Sequence, residues 1–179
     1  MWQSNKVFTF SEAILATNIL YNKNIKEAIL ENKLFLKALN FVLLHEGGYS
    51  NNVNDKGGAT NKGITQNTYN AWLRSKGQNH KDVRNISDSE VKEIYYNNYW
   101  LKAGCDKMSE KFAILAFDTA VNMGVSRVKP FLEYAKYTNP DKFLLARIRK
   151  YTEFAKVGNQ KVFLQGWLNR TLDLERYIS

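Results

Sequence analysis

The chain has 179 residues, 44% hydrophobic and 24% charged, with two prolines. That composition describes one globular domain, or a domain with an arm, long enough to bury a real core. A single cysteine excludes an internal disulfide, and two histidines beside it are too few for a zinc site. Of the net charge of +9, +6 lies in 127–179 (11 Lys+Arg against 5 Asp+Glu), and this sign draws a protein to polyanions such as a bacterial wall, anionic lipid or nucleic acid.

The first 24 residues read as an arm with a targeting or partner role, and 25–179 as the main domain. Ser11 starts a short helix carrying Ile14, Leu15, Ile19 and Leu20 on one stripe. One lysine and a broken apolar run make the start a poor secretory signal. No run approaches the ~20 apolar residues of a membrane span, so no stable membrane insertion is expected. A long helix is predicted from about Ile25 to Glu46, nearly all buried in its second half and stopped by Gly47 and Gly48. From Tyr49 to Ile64 there is no helical period, and short runs at 48–51 and 59–64 predict a small hairpin or three-stranded sheet.

Thr65 caps a helix over about 66–76, closed by Gly77. Ser87 and Glu90 form a capping box for a helix over about 88–102. Ser109 opens "EKFAILAFDTAVNM", apolar on most sides and therefore the central helix. A short helix follows Ser126, another runs from Asn139-Pro140 to Gly158, and the last covers about 160–177. The fold class is α+β, predominantly α-helical, with a small β insertion after the first long helix.

Two carboxylates suggest chemistry. Cleaving an acetal needs a proton for the leaving oxygen and support for an oxocarbenium-like centre, and a protonated and an ionised carboxyl divide that work. Glu46 follows "FVLL" at the end of a buried helix, an apolar setting beside helix C-terminal carbonyls that favours the neutral acid. Asp55 lies in a glycine-flanked, Asn-rich turn that suits an ionised group, and Thr60 follows to orient a water. Taken singly, Glu46 is as readily a surface residue at a helix end and Asp55 a turn-former.

The whole stretch "EGGYSNNVNDKGGATNKGIT" resembles the opening motif of the glycoside hydrolase family 108 muramidases, which include phage endolysins and secretion-activator proteins. "VKEIYYNNYW" (91–100), "FDTAVNMG" (117–124) and "FLQGWLNR" (163–170) resemble that family's later motifs, in the same order. The resemblance implies a lysozyme-like fold, a peptidoglycan substrate and no cofactor. It carries the catalytic glutamate onto Glu46 and a second carboxylate onto Asp55. The family's Asp-Gly-x-x-Gly-Pro turn is missing around 130–142, so the usual wall-binding segment is shortened or absent.

Tyr49, Asn61, Gln66, Asn122 and Trp100 are candidate substrate contacts, although hairpin, cap or core roles explain each alone equally well. Asp118, one turn from Asn122 in an apolar helix, is expected to hold backbone or a basic residue. Arg170 and Trp167 read as structural, with Arg170 a possible partner of Asp118 or Glu46. Cys105 reads as packing, and His45 is assigned no role.

The leading expectation is a muramidase cutting the β-1,4 bond between N-acetylmuramic acid and N-acetylglucosamine. Carboxyls ~6.5–9.5 Å apart imply inversion, and ~5–5.5 Å retention. A lytic transglycosylase using Glu46 alone and a non-catalytic wall-binding or phage-tail module are the alternatives. A nucleic-acid partner is not expected, because no recognition motif accompanies the charge. Work at the cell wall then requires release by a holin or a dedicated secretion route.

Overall fold

The computed structural model describes residues 11, 14, 15, 17, 19, 20, 23, 27 and 29, then 32–51 and 58–179. Asp55 and most of the N-terminal arm lie outside these. The nine isolated positions at the front are helical, and Ile14, Leu15, Ile19 and Leu20 are exposed.

The first continuous helix, α1, is Lys33–His45. Its N-cap is Asn32, whose side chain accepts a hydrogen bond from Phe35 N–H at 2.9 Å; the helix start expected near Ile25 lies outside the described residues. Two short strands follow, β1 (Thr60–Asn61) and β2 (Ile64–Thr65), paired antiparallel, with Ser50 bridged to Thr60 on the outer side. This is the predicted β insertion. Lys62 and Gly63 form its turn, both with positive φ.

Helix α2 (Gln66–Ser75) is capped by Thr65 through Thr68 N–H. Helix α3 (Asp88–Tyr95) carries the predicted capping box of Ser87 and Glu90. It continues as one π-turn, Tyr96–Trp100, closed by Leu101 N–H on Tyr96 C=O at 3.0 Å. The wider turn seats Trp100 inside, wholly buried against Phe35 and Phe117. Helix α4 (Glu110–Met123) is the central helix, buried continuously from Phe112 to Ala120. A short 3-10 turn (Val125–Arg127) leads into α5 (Val128–Tyr134).

Helix α6 (Pro140–Phe154) stops four residues before the expected Gly158. A 3-10 turn (Gln160–Phe163) then enters α7 (Leu164–Ile178). Helix α1 packs mainly on α4, and α4 also touches α6 and α7. The chain is therefore predominantly helical α+β, with the end of α1, the hairpin and α7 meeting over the middle of α4. Among the described residues no helix is long and apolar enough to cross a membrane.

Candidate active site

Glu46 is the residue at which α1 ends. Its N–H still bonds Val42 C=O at 3.0 Å, but its own backbone is extended. The side chain therefore leaves the helix axis and reaches the middle of α4 and α7. There Oε1 accepts a hydrogen bond from Arg170 Nη1 at 2.9 Å, and the side chain keeps 20% of its exposure. The sequence suggested apolar surroundings; the structure seats a guanidinium on the carboxyl instead. The sequence offered Arg170 with Asp118 or Glu46 as its partner, and the structure pairs it with both.

Arg170 is shared. Its Nε and Nη2 donate to Asp118 Oδ1 at 3.0 and 2.7 Å. Asp118 Oδ2 in turn pairs with Arg147 Nη2 at 2.5 Å. Asp118 and Arg147 are fully buried and Arg170 nearly so. Burial opposes ionisation of Asp118, but the two guanidiniums prevail and hold its pKa below the usual carboxylate value. Burial likewise opposes the charge on Arg170, and Asp118 and then Glu46 more than offset it. Two cations and two carboxylates thus form a row that is neutral when both carboxyls are ionised.

The row continues. Arg147 Nη1 donates to Thr119 Oγ1 at 3.1 Å and its Nη2 to Tyr151 Oη at 3.0 Å. The Tyr151 hydroxyl donates to Asn122 Oδ1. Asp118 holds basic residues, as expected. Arg147 and Tyr151 were not anticipated, yet Phe143, Leu144, Arg147 and Tyr151 share one helical stripe, and that spacing already puts an arginine on the buried face.

On its other side Glu46 meets the hairpin turn. A methyl group added at Gly63 would lie 2.8 Å from Glu46 Oε2 and 2.4 Å from Tyr95 Oη, and Gly63 has φ +74°. Only glycine fits there. The Tyr95 hydroxyl is tied to Lys62 C=O at 2.9 Å. Burial first, and the charge of Glu46 next, raise the pKa values of Tyr95 and Tyr99, so both phenols stay neutral beside it.

The remaining candidates divide. Trp100 is 0% exposed, which makes it core and removes it as a sugar contact. Tyr49 carries Arg84 over its ring at 4.4 Å and accepts a hydrogen bond from the same side chain, so the face expected to stack on sugar is covered. Asn61 Nδ2 is spent on the carbonyls of Val83 and Arg84. Gln66 bonds Asn70, Lys81 C=O and Val83 N–H, which fixes the loop before α3. These two amides hold backbone in place of the expected sugar groups. Thr60 lies in β1, half-buried, with its hydroxyl 3.4 Å from Gly58 C=O. Asn122 lines a pocket beside Tyr151 and Trp167. Cys105 is buried and His45 bridges Phe41 C=O and Asp173. Among the described residues no group of three or more His, Cys, Asp or Glu side chains clusters to hold a metal.

A helix-terminal glutamate thus faces a short hairpin across a helical core. The sequence model described as Glycosyl hydrolase 108 matches residues 39–124, as the motifs led us to expect. The match supports peptidoglycan hydrolysis as the general activity. It takes in Glu46, the hairpin and Asp118, while Arg170 lies beyond it. Among solved structures, the one described as "Structure of Brucella abortus SagA" is similar, with a TM-score of 0.66 and 24% identity over 80% of this chain and 92% of that one. A likeness at that identity speaks for the fold alone. No curated protein matches the chain.

Proposed function

We propose that the chain hydrolyses the β-1,4 bond between N-acetylmuramic acid and N-acetylglucosamine in peptidoglycan, with Glu46 as the general acid. The reading rests above all on the setting of Glu46. Arg170 fixes Oε1, so a proton on the carboxyl sits on Oε2, the oxygen turned toward Gly63. Among the described residues no donor reaches Oε2. In the reaction this proton passes to the glycosidic oxygen as its bond to the muramic C1 breaks. A water adds to C1 and gives its proton to the Asp55 carboxylate, with Thr60 positioning that water. Arg170 holds the carboxyl in place before and after proton transfer.

We assign this activity to 25–179, with 1–24 as an arm for targeting or docking. The +9 charge suits an anionic wall and argues against chitosan, a cationic polymer. The wall is then the site of action, reached by holin-dependent release or a dedicated secretion route.

One observation favours a second reading, a lytic transglycosylase. Asp118, the carboxylate that shares Arg170 with Glu46, is buried and already used by two arginines. In that case Glu46 acts alone: the muramic O6 attacks C1, and its proton goes to the glutamate carboxylate. Mass spectrometry of muropeptides released from purified peptidoglycan decides. Reducing muramic ends, lost in Glu46→Gln and in Asp55→Asn, support the hydrolase. Anhydro ends unaffected by Asp55→Asn support the transglycosylase. Undiminished release by Glu46→Gln defeats both.

A further inference from the structure

One helical turn from Asp118 and Arg170 lies a pocket that the reaction above does not use. Asn122, Tyr151, Phe154, Val157, Gln160 and Trp167 line a space of about 390 Å³ between α4, α6 and the loop into α7. Its position follows from helix geometry. Asp118 and Asn122 are four apart on α4, and Arg170 and Trp167 three apart on α7, so each pair shares a face. Moving one turn along both helices, about 5 Å, leads from the residues that hold Glu46 to those that line the pocket.

The chemistry of the lining is selective. Trp167 lies parallel to Tyr151, ring centroids 5.1 Å apart, and edge-on to Phe154. These rings and Val157 make an apolar wall. The one well-fixed polar group within it is the Asn122 amide. Tyr151 donates its proton to Asn122 Oδ1 while its own oxygen accepts from Arg147. That fixes the amide with Nδ2 as the remaining donor, and among the described residues nothing accepts from it. Gln160, from the exposed loop, adds a second amide at the rim. An oriented N–H donor over an aromatic wall suits a group with a carbonyl oxygen next to a methyl.

We propose that this pocket is a saccharide subsite one helical turn from the Asp118–Arg170 pair, and that it takes an N-acetylhexosamine unit of the glycan by its acetamido group. The carbonyl oxygen accepts from Asn122 Nδ2, and the methyl packs on Trp167 and Phe154. The inference rests on the wall-glycan reading above and adds a determinant to it: the pocket selects N-acetylated sugars over deacetylated ones. It also makes the buried row of charges a positioning device at both ends, holding Glu46 at one and Asn122 at the other.

The test is a binding measurement that does not depend on turnover. The full chain, 15N-labelled, is titrated with the disaccharide N-acetylglucosaminyl-N-acetylmuramic acid, and the four tryptophan indoles (2, 72, 100 and 167) and side-chain amides are followed by NMR. Trp167→Phe assigns the Trp167 indole. The expected result is a joint shift of the Trp167 indole and the Asn122 amide that saturates at one Kd. Asn122→Leu weakens that Kd about tenfold, and the glucosamine disaccharide without acetyl groups moves neither signal. Shifts centred on Trp72 or Trp100, equal binding of the deacetylated sugar, or no shift at all overturns the subsite. A subsite that fails while Glu46→Gln abolishes wall turnover leaves the muramidase reading standing. Binding at Trp167 with turnover unchanged in Glu46→Gln leaves a sugar site and removes that reading.

Discussion

Replacing Asp118 with asparagine keeps the volume of the side chain and removes one charge. Asp118 carries three bonds to two guanidiniums that are 0% and 8% exposed at the side chain. In the variant, Arg147 and Arg170 share one remaining carboxylate, Glu46, which reaches only one of them. Breaking a buried ion pair in this way costs about 3–5 kcal/mol. For a chain of this size each kcal/mol lowers Tm by roughly 2–4 °C, so Asp118→Asn is expected to melt roughly 10 °C below wild type. The pH dependence gives an independent reading. The folded pKa of Asp118 is depressed below its ordinary value of 3.8, so its contribution is complete above that value. It is lost as pH falls below 3.8 toward the folded pKa, because the unfolded chain then binds the proton more readily. Wild type therefore loses an increment of stability in that acid range that the variant never had. The assay is a set of urea melts of both proteins between neutral pH and pH 3. Equal midpoints at neutral pH, or parallel acid limbs, refute the argument that this network is a charge-balanced part of the core.

Gly63→Ala forces a positive φ that costs about 1–2 kcal/mol and drives a methyl into Glu46 and Tyr95. Wall turnover is expected to fall roughly 10²-fold through displacement of the carboxyl, and Tm by roughly 2–8 °C or more; a fully active variant sinks the placement of Oε2. Trp100→Ala empties a fully buried site and is expected to destabilise by about 3–5 kcal/mol, whereas Trp100→Phe keeps KM for wall fragments unchanged; a raised KM in the phenylalanine variant returns Trp100 to the substrate. Burial pushes the Cys105 thiol up to about 12, so a chromogenic disulfide reagent at pH 8 is expected to find no thiol in the native chain and one after unfolding.

The helices were largely legible because their signals are local. Capping residues such as Thr65, Ser87 with Glu90 and Asn139 act within one turn, and the apolar run at 112–120 leaves a central helix little alternative. The misses have the same physical origin. Asn32 starts a helix by a single side-chain bond, which periodicity does not register. The π-turn at Tyr96–Trp100 keeps a helical composition while rotating every later side chain. Within the site, the place of Glu46 was legible because the end of an apolar helix is visible in sequence. For Asn61, Gln66, Tyr49 and Trp100 the sequence left ligand and structural roles side by side, because polar and aromatic residues near a turn serve backbone and core as readily as ligand, and only distances separate the two. The pairing of Glu46 with Arg170 spans 124 residues, and no local pattern encodes it.

That span has a consequence for how the protein is made. Glu46 leaves the ribosome 124 residues ahead of the side chain that fixes it, which belongs to α7. Such a distant contact forms late, after the intervening loops have closed. A partly synthesised chain, or one clipped before Arg170, carries the acid without its anchor and without one of the two counter-charges of Asp118. Glu46 thus gains its anchor only once α7 has been made, which couples the setting of this carboxyl to a segment 124 residues downstream.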